Sequence, residues 1–354
     1  MKNKWLIGGY ILFLAIAIFY CPVLAQEKIA LDISRMIDLA ISNNLNFKKA
    51  SYQLDNVELD ASQLEAENLL AQSGMLNRQK ELNILQQQNT FQNQKDELII
   101  QVVDNYFQLM LAAKDITRKE KNVELERAVL SEVEAQVTTG YSIDLDLLQQ
   151  GNAYYDALFS YEKAKLDYQQ LLIEVKNNLG LTQETEISVR AIEIPQLPEI
   201  DLATALSKSR ENSLILKSKV IEVELNRIRL EKARIDREPQ LEIVKLENNL
   251  EIVKLEKSIL EQELNFQVLT RWQNYQQSKN DILLCEQSLK QMKENELIIN
   301  RQVQAGLRTV DELLSADIGV LDAEYRLISS VRQYYQTYLE LQRIIGILDE
   351  GEIK

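Results

Sequence analysis

One stretch of this chain limits its fold more than any other feature: residues 75–139 contain neither glycine nor proline. Those two residues interrupt helices most strongly, and the good helix formers Leu, Glu, Gln, Lys and Ala dominate the chain. Read as a single helix, the stretch is roughly 95 Å long at about 1.5 Å per residue. A helix of this length is typical of a coiled coil or a helical barrel rather than a compact globule.

The chain also resembles itself after a shift of 166 residues, so that Gly140 falls on Gly306 and Gly180 on Gly346. Glycines in register indicate places where the backbone turns. Further matches are Leu147-Leu148 with Leu313-Leu314, Tyr161 with Leu327, Tyr168 with Tyr334, Tyr106 with Trp272, Asp115-Ile116 with Asp281-Ile282 and, after a small drift, Asn44 with Asn212. The repeat predicts two tandem copies of one structural unit.

The repeat and the prolines predict the organisation of the chain. Residues 26–194 and 201–354 form the first and second repeat units, and residues 195–200, with Pro195 and Pro198, form an extended linker. The fold class is all-α, with two long-helix units that form antiparallel, coiled-coil-like hairpins. The predicted helices are 33–72, 77–139 and 143–178 in the first unit, and 202–237, 241–305 and 310–345 in the second.

The third predicted helix of each unit has large residues every seven positions, with small residues three positions later. Such a pattern is typical of a seam in which knobs fit into holes and helices approach closely. We therefore expect its tyrosines to pack and not to bind a ligand. The pattern comprises Tyr154, Tyr161, Tyr168 and Val175 with Ala157, Ala164 and Leu171, and Val320, Leu327, Tyr334 and Leu341 with Ala323, Ser330 and Thr337.

Residues 1–25 read as a secretory signal peptide: Lys2 and Lys4 precede an apolar run, and small or permissive side chains lead up to Ala25. Bulky residues before Cys21 disfavour lipid attachment there. The exported chain retains only Cys285, which excludes an intrachain disulfide. We expect a protein of the cell envelope, periplasmic and associated with the outer membrane.

Charge and composition argue against several classes of function. The formal net charge is −14, or −14 − 2 = −16 without the two leader lysines, which disfavours nucleic acid as a partner. The chain has no histidine, and the sequence contains no glycine-rich phosphate loop, CxxC pair or nucleophile elbow. These observations predict no enzyme activity, no catalytic residues, no cofactor and no metal site.

Two ten-residue segments, 139–148 and 305–314, each have a glycine turn, an acidic residue six positions later and then apolar residues. Together with residues 102–107, residues 40–44 and the duplicated unit, they resemble the TolC-type outer membrane efflux proteins. The resemblance covers nearly the whole exported chain. It implies a homotrimeric helical barrel that works with a periplasmic adaptor (membrane fusion) protein and an inner-membrane pump.

The resemblance also implies functional positions. Two glycine turns would form the periplasmic tip where the adaptor docks, and we call this set the docking tip: Gly140, Tyr141, Ser142, Gly306 and Leu307. Charged residues just past the turns would close the tip, with Arg308 meeting Asp146 and with Glu312 at the position matching Asp146. We call Asp146, Arg308 and Glu312 the candidate gate.

The chain departs from the family where two outer-membrane strands interrupt each unit between its first and second helices. The available segments, 71–79 and 236–247, are short, polar or charged, and lack the alternation of a membrane strand. Residues 241–247 recur as 250–256. A shift of nine residues rotates a helix face by about half a circle, so the two copies are expected to pack on different faces.

Two hypotheses for the function stay open: a trimeric efflux or export duct, and an exported coiled-coil scaffold that has lost channel function.

Overall fold

The computed structural model describes residues 29–71, 73–190 and 198–348; the predicted signal peptide and half of the predicted linker, with Pro195, lie outside these ranges. The described residues form eight helices and two three-residue strands, which confirms the all-α prediction. The elements are β1 (Ile29–Leu31), α1 (Ile33–Asn43), α2 (Leu45–Ala71), α3 (Gly74–Thr139), α4 (Asp144–Asn178), β2 (Ile187–Val189), α5 (Leu202–Asn212), α6 (Leu214–Ile235), α7 (Gln240–Gln304) and α8 (Val310–Ile344).

The first predicted helix of each unit is broken in two, which corrects the single helices expected at 33–72 and 202–237. Asn44 lies between α1 and α2, and its side chain accepts a 3.0 Å hydrogen bond from the backbone N–H of Phe47 at the start of α2. Ser213 has the same position between α5 and α6 and accepts from the N–H of Leu216 at 3.2 Å. Short polar side chains offer the backbone this local bond and so favour a new helix start over continuation.

The equivalence of Asn44 and Ser213 also corrects the alignment of the two units near their N-termini. Asn212 ends α5 next to Ser213, so its counterpart is Asn43 and not Asn44. The side-chain amides confirm this pairing, because Asn43 donates to the carbonyl of Leu179 and Asn212 to that of Ile345, which match in the register of 166 residues.

The helices form one layer in which α3 is central. In the half nearer the glycine turns, the order of packing is α4, α3, α8, α7; in the other half it is α2, α3, α6, α7. The 66-residue α3 and the 65-residue α7 run through both halves, whereas the shorter helices change between them. The first unit therefore contacts the second along the whole length of α3.

The core lies midway along this layer, where aromatic side chains of both units meet. Tyr106 and Phe107 of α3 are buried, and the ring of Phe107 lies 5.1 Å from that of Tyr335 on α8. Tyr106 donates a hydrogen bond to the carbonyl of Arg190, and its repeat counterpart Trp272 donates to that of Ile200. The two matching positions thus bind the backbone on either side of the connection between the units.

A parallel pair of short strands, absent from the sequence prediction, covers the core of the first unit. β1 pairs with β2, with Ala30 opposite Ser188 and Leu31 opposite Val189. The three alanines of the predicted seam are buried and Tyr334 is 1% exposed, while the other small residues and Tyr154, Tyr161 and Tyr168 are half-buried. These tyrosines pack between helices.

At both positions where the resemblance would place membrane strands, the described chain passes from helix to helix. Ser73 accepts from the N–H of Leu76 at the start of α3, and residues 236–239 connect α6 to α7. The tandem copies both lie in α7, and their first residues face differently: Leu241 is 71% exposed and Leu250 only 8%. The expectation that the copies pack on different faces is confirmed.

Candidate docking tip and gate

The first turn of the docking tip is built by a left-handed glycine. Gly140 ends α3 with φ of 79°, and the backbone N–H groups of Tyr141 and Ser142 both donate to the carbonyl of Gln136. This closure satisfies carbonyl groups that a helix end leaves unpaired. It also directs the Tyr141 side chain into solvent, where 89% of its surface is exposed.

The second turn repeats the first at the matching position. Gly306 has φ of 70°, and the N–H of Leu307 donates to the carbonyl of Gln302 at 2.8 Å. Leu307 is 76% exposed. Both turns therefore present a large apolar side chain to solvent directly after the glycine. A Cβ added to either glycine would meet nothing within 4 Å, so backbone conformation alone requires glycine here.

Each gate carboxylate stabilises the start of the helix that follows its turn. Asp146 accepts a 2.6 Å hydrogen bond from the Ser142 hydroxyl and a 3.2 Å bond from the N–H of Ile143. These two donors, Ser142 first, lower the pKa of the Asp146 carboxyl below its usual value. Glu312 accepts from the N–H of Thr309 at 3.0 Å at the start of α8. The equivalent turns thus share one capping arrangement.

The third gate residue, Arg308, pairs with Glu312 one helical turn away at 3.2 Å. Asp146 and Arg308 therefore each have a partner beside their own turn. A contact between Arg308 and Asp146 stays a prediction, which concerns neighbouring copies of the chain in an assembly.

A series of ion pairs joins α3 to α8 above the tip, and the sequence analysis missed it. We call it the charge ladder; from the tip upward it comprises Lys121–Asp317 at 3.7 Å, Arg118–Asp322 and Lys114–Glu324, each at 2.8 Å, and Asp104–Arg332 at 2.6 Å. The guanidinium of Arg118 also lies 5.0 Å from the ring centre of Tyr325. The sequence shows basic and acidic residues at helical spacing in both segments, but it does not show that α3 packs against α8.

Two observations concern other kinds of site. Over the residues that the structure covers, no helix has the length and apolar character needed to span a membrane. In the same residues, no three His, Cys, Asp or Glu side chains come together as a metal site requires.

Comparison with known proteins identifies the fold. No protein-family model and no curated protein matches the sequence. Among solved structures, the chain is similar to the outer-membrane channel OprN, at 13% identity over 89% of both chains with a TM-score of 0.66. It is similar to the Campylobacter jejuni CmeC outer membrane channel, at 12% identity over 90% of this chain and 87% of that one, with a TM-score of 0.66.

A third similar structure is the outer membrane protein VceC from Vibrio cholerae, at 10% identity over 89% of this chain and 96% of that one, with a TM-score of 0.62. The predicted resemblance to TolC-type channels is confirmed at the level of the fold, with helix-to-helix turns in place of the membrane strands. OprN and CmeC are outer-membrane channels.

Proposed function

We propose that this protein is a TolC-like component of an envelope-spanning efflux or export system. Three copies form a helical duct whose docking tip meets a periplasmic adaptor linked to an inner-membrane pump. The observation that supports the proposal best is the fold itself, a single layer of long helices shared with outer-membrane channels. The two equivalent turns with exposed Tyr141 and Leu307 give its tip a surface for a partner.

Assembly is supported by the two edges of the layer. One edge is α7, and the other is α2 in one half and α4 in the other. Rows of exposed apolar side chains run along both edges at heptad-like spacing, as in helices that pack against a partner. They are Leu45, Tyr52 and Leu59 on α2, Leu148, Tyr155, Phe159, Leu166 and Ile173 on α4, and Ile252, Leu255, Ile259, Phe266, Leu269 and Leu284 on α7.

The internal repeat indicates which edge meets which. Within one chain, the long helix of the first unit, α3, packs against α6 and α8 of the second unit. The same contact between chains joins α7 of one copy to α2 and α4 of the next. An interface of this head-to-tail kind closes into a ring when its rotation allows.

Individual positions agree with this arrangement. Arg118 and Tyr325, in contact within the chain, correspond to Leu284 and Phe159 after the shift of 166 residues, and these are 63% and 71% exposed. Arg332, paired with Asp104 in the charge ladder, corresponds to Leu166, which is 59% exposed. Residues that make polar contacts within the chain thus correspond, in the other unit, to exposed apolar side chains at the edges of the layer. Burying those apolar side chains between copies would stabilise an interface.

A disulfide crosslink tests this interface. In a Cys285→Ser background of the exported chain, residues 26–354, the pair Phe159→Cys and Leu284→Cys is expected to link copies into dimers and trimers under mild oxidation. The matched control pairs Ile173→Cys with Leu284→Cys; Ile173 is also exposed but lies about 21 Å further along α4. Equal crosslinking of both pairs, or none of either, contradicts the proposed register.

Adaptor docking is tested separately at the tip. Tyr141→Cys and Leu307→Cys, each in the same background, are expected to crosslink to an adaptor encoded beside this protein and co-expressed with it. Ser329→Cys on the shaft is the control, because Ser329 is also exposed and lies on α8, away from both edges of the layer. If neither tip variant crosslinks to the adaptor while the crosslinker is shown to be active, the result counts against association with a pump. It does not test whether the copies form a duct.

The short separation between the end of α2 at Ala71 and the start of α3 at Gly74 favours the second candidate, an exported coiled-coil scaffold without channel function, as does the short connection at residues 236–239. Both candidates use the same helices and the same edges. They differ in the shape of the assembly: the duct is hollow, whereas the scaffold is a solid bundle or a rod.

A further inference from the structure

A cleft of about 850 Å³ lies between the two units, where the neighbour of α3 changes from α6 to α8. α6 begins at Leu214 and α8 ends at Ile344, so α3 and α7 face each other across the gap between these two helix ends. Its volume is within the range of sites that bind small molecules.

One wall of the cleft holds a carboxylate that is deeply buried. Asp96 on α3 is only 4% exposed, and one of its oxygens accepts a 2.8 Å hydrogen bond from the side-chain amide of Gln92. Buried carboxylates are normally paired with a cation, because burial without a partner is costly. No ion pair of Asp96 occurs in the parts of the chain that the structure describes.

A basic group faces the same space. Arg343, in the last turn of α8, lines the cleft and is close enough to Asp96 to lower its pKa, but the described residues contain no ion pair between them. The remaining charges on the walls are balanced, and amide side chains lie between them. The charged groups are Lys217, Glu263, Arg271 and Glu340, and the amides include Asn89, Gln92, Asn93 and Gln267.

The fold does not require this acid and base. In the register of 166 residues, Asp96 corresponds to Gln262 and Arg343 to Asn177, so neither charge recurs at the matching position of the repeat. The pair is specific to the cleft and not to the repeated architecture.

We propose that this cleft binds a small zwitterion, with the ligand's ammonium group on the Asp96 carboxylate and its carboxylate on the Arg343 guanidinium. Charge-assisted hydrogen bonds of this kind are stronger than neutral ones, and amide groups along the wall suit a polar ligand. The site lies in the body of the layer, away from the docking tip, so the proposal is independent of the proposed function.

Isothermal titration of the exported chain with three four-carbon probes tests the proposal: 4-aminobutyrate, butylamine and butyrate. We expect 4-aminobutyrate to bind and both singly charged probes to bind about tenfold more weakly or worse, since each lacks one contact. Absence of binding up to about 10 mM overturns the proposal. Equal binding of butylamine and 4-aminobutyrate overturns it as well.

Variants locate the binding. Asp96→Asn is expected to weaken 4-aminobutyrate binding by about tenfold or more, whereas Glu263→Gln on the exposed rim of the cleft changes it less than about twofold. Unchanged binding to Asp96→Asn contradicts the assignment. Circular dichroism checks that each variant is folded. Fluorescence of Trp272 gives a second measure of binding, because Trp272 is the one tryptophan of residues 26–354 and follows Arg271 of the cleft wall.

The pH profile of the unaltered protein provides a test without mutation. Binding is expected to fall as the pH drops through about 6, where Asp96 takes up a proton. Lys95, Lys217, Glu263, Arg271, Glu340 and Arg343 are the other charged groups next to Asp96 or on the cleft walls. Affinity that stays constant from pH 8 to pH 5 contradicts a role for the carboxylate.

Discussion

Asn43 lies directly against Gly180: a Cβ on the glycine would stand 2.6 Å from the Cβ of the asparagine. The side-chain amide of Asn43 donates a 3.1 Å hydrogen bond to the carbonyl of the residue before the glycine. Asn212 and Gly346 repeat this relationship in the second unit, with a corresponding distance of 2.7 Å. Each pair fixes the end of a unit's last helix to the corner between its first two helices.

Gly180→Ala is therefore expected to destabilise the protein by about 2–4 kcal/mol. The new side chain would have to adopt a positive φ, and its Cβ would clash with the Cβ of Asn43, which cannot move away without its backbone. Gly140→Ala, at a positive φ in open space, is expected to cost only about 1–2 kcal/mol. Urea unfolding of both variants measures the difference. Equal losses show that the contact with Asn43 contributes nothing.

The sequence predicted this architecture well at positions where the backbone conformation accepts few residue types other than glycine. Gly140, Gly180, Gly306 and Gly346 all have positive φ and all end helices, as their register implied. The breaks after Asn43 and Asn212 could not be read in the same way, because Asn44 and Ser213 are tolerated inside helices as well as at their starts. Their effect depends on the corner packed against each glycine.

The docking tip could be predicted from local sequence, whereas the charge ladder and the cleft could not. The exposure of Tyr141 and Leu307 follows from their place after a glycine turn. The charge ladder and the acid in the cleft depend on which helix packs beside α3, and that information lies in contacts between residues about 200 or more positions apart along the chain. No local pattern around Asp104 or Asp96 distinguishes them from solvated acids.

Asp96→Asn is expected to stabilise the protein at neutral pH. Burial raises the pKa of this carboxyl from 3.8 to about 6, so the folded state binds the proton more tightly than the unfolded state. The ionised form therefore destabilises the fold above pH 6, and stability increases as the pH falls from 6 towards 4. The variant should gain about 1–2 kcal/mol near pH 7.5, reduced from the full shift because the group borders an open cleft.

Unfolding free energies measured from pH 4 to pH 8 check this prediction, and the gain should disappear near pH 4. Asp55→Asn, at an exposed acid on α2, is the control and should show no such gain. A variant that is less stable than the original at every pH contradicts the account of Asp96.

Asp104→Asn is expected to destabilise the contact between the units. Its carboxylate accepts hydrogen bonds from Arg332 through both oxygens and a third from Gln336 at 2.6 Å, all partly buried. Loss of the charge should cost about 1–3 kcal/mol. Asp317→Asn removes the charge from the 3.7 Å member of the same ladder and should cost less than about 0.5 kcal/mol. Denaturant unfolding compares the two, and equal effects contradict this ranking.

A contact between Arg308 and Asp146 of neighbouring copies can be tested by charge reversal. Arg308→Glu and Asp146→Arg should each increase hydrogen exchange at residues 140–142 and 306–308 of the assembled protein, and the double reversal should lower it again. Each reversal also disturbs a local contact, with Glu312 or with Ser142, which the double variant cannot restore. A double variant no better than the singles shows that the two residues do not interact.

The proposed duct is tested most directly by electron microscopy of the purified chain 26–354 at micromolar concentration. The edges described above predict particles with three copies around a hollow centre, and a length near the roughly 100 Å of α3 or greater. A monomer or a solid dimer at that concentration would contradict the duct.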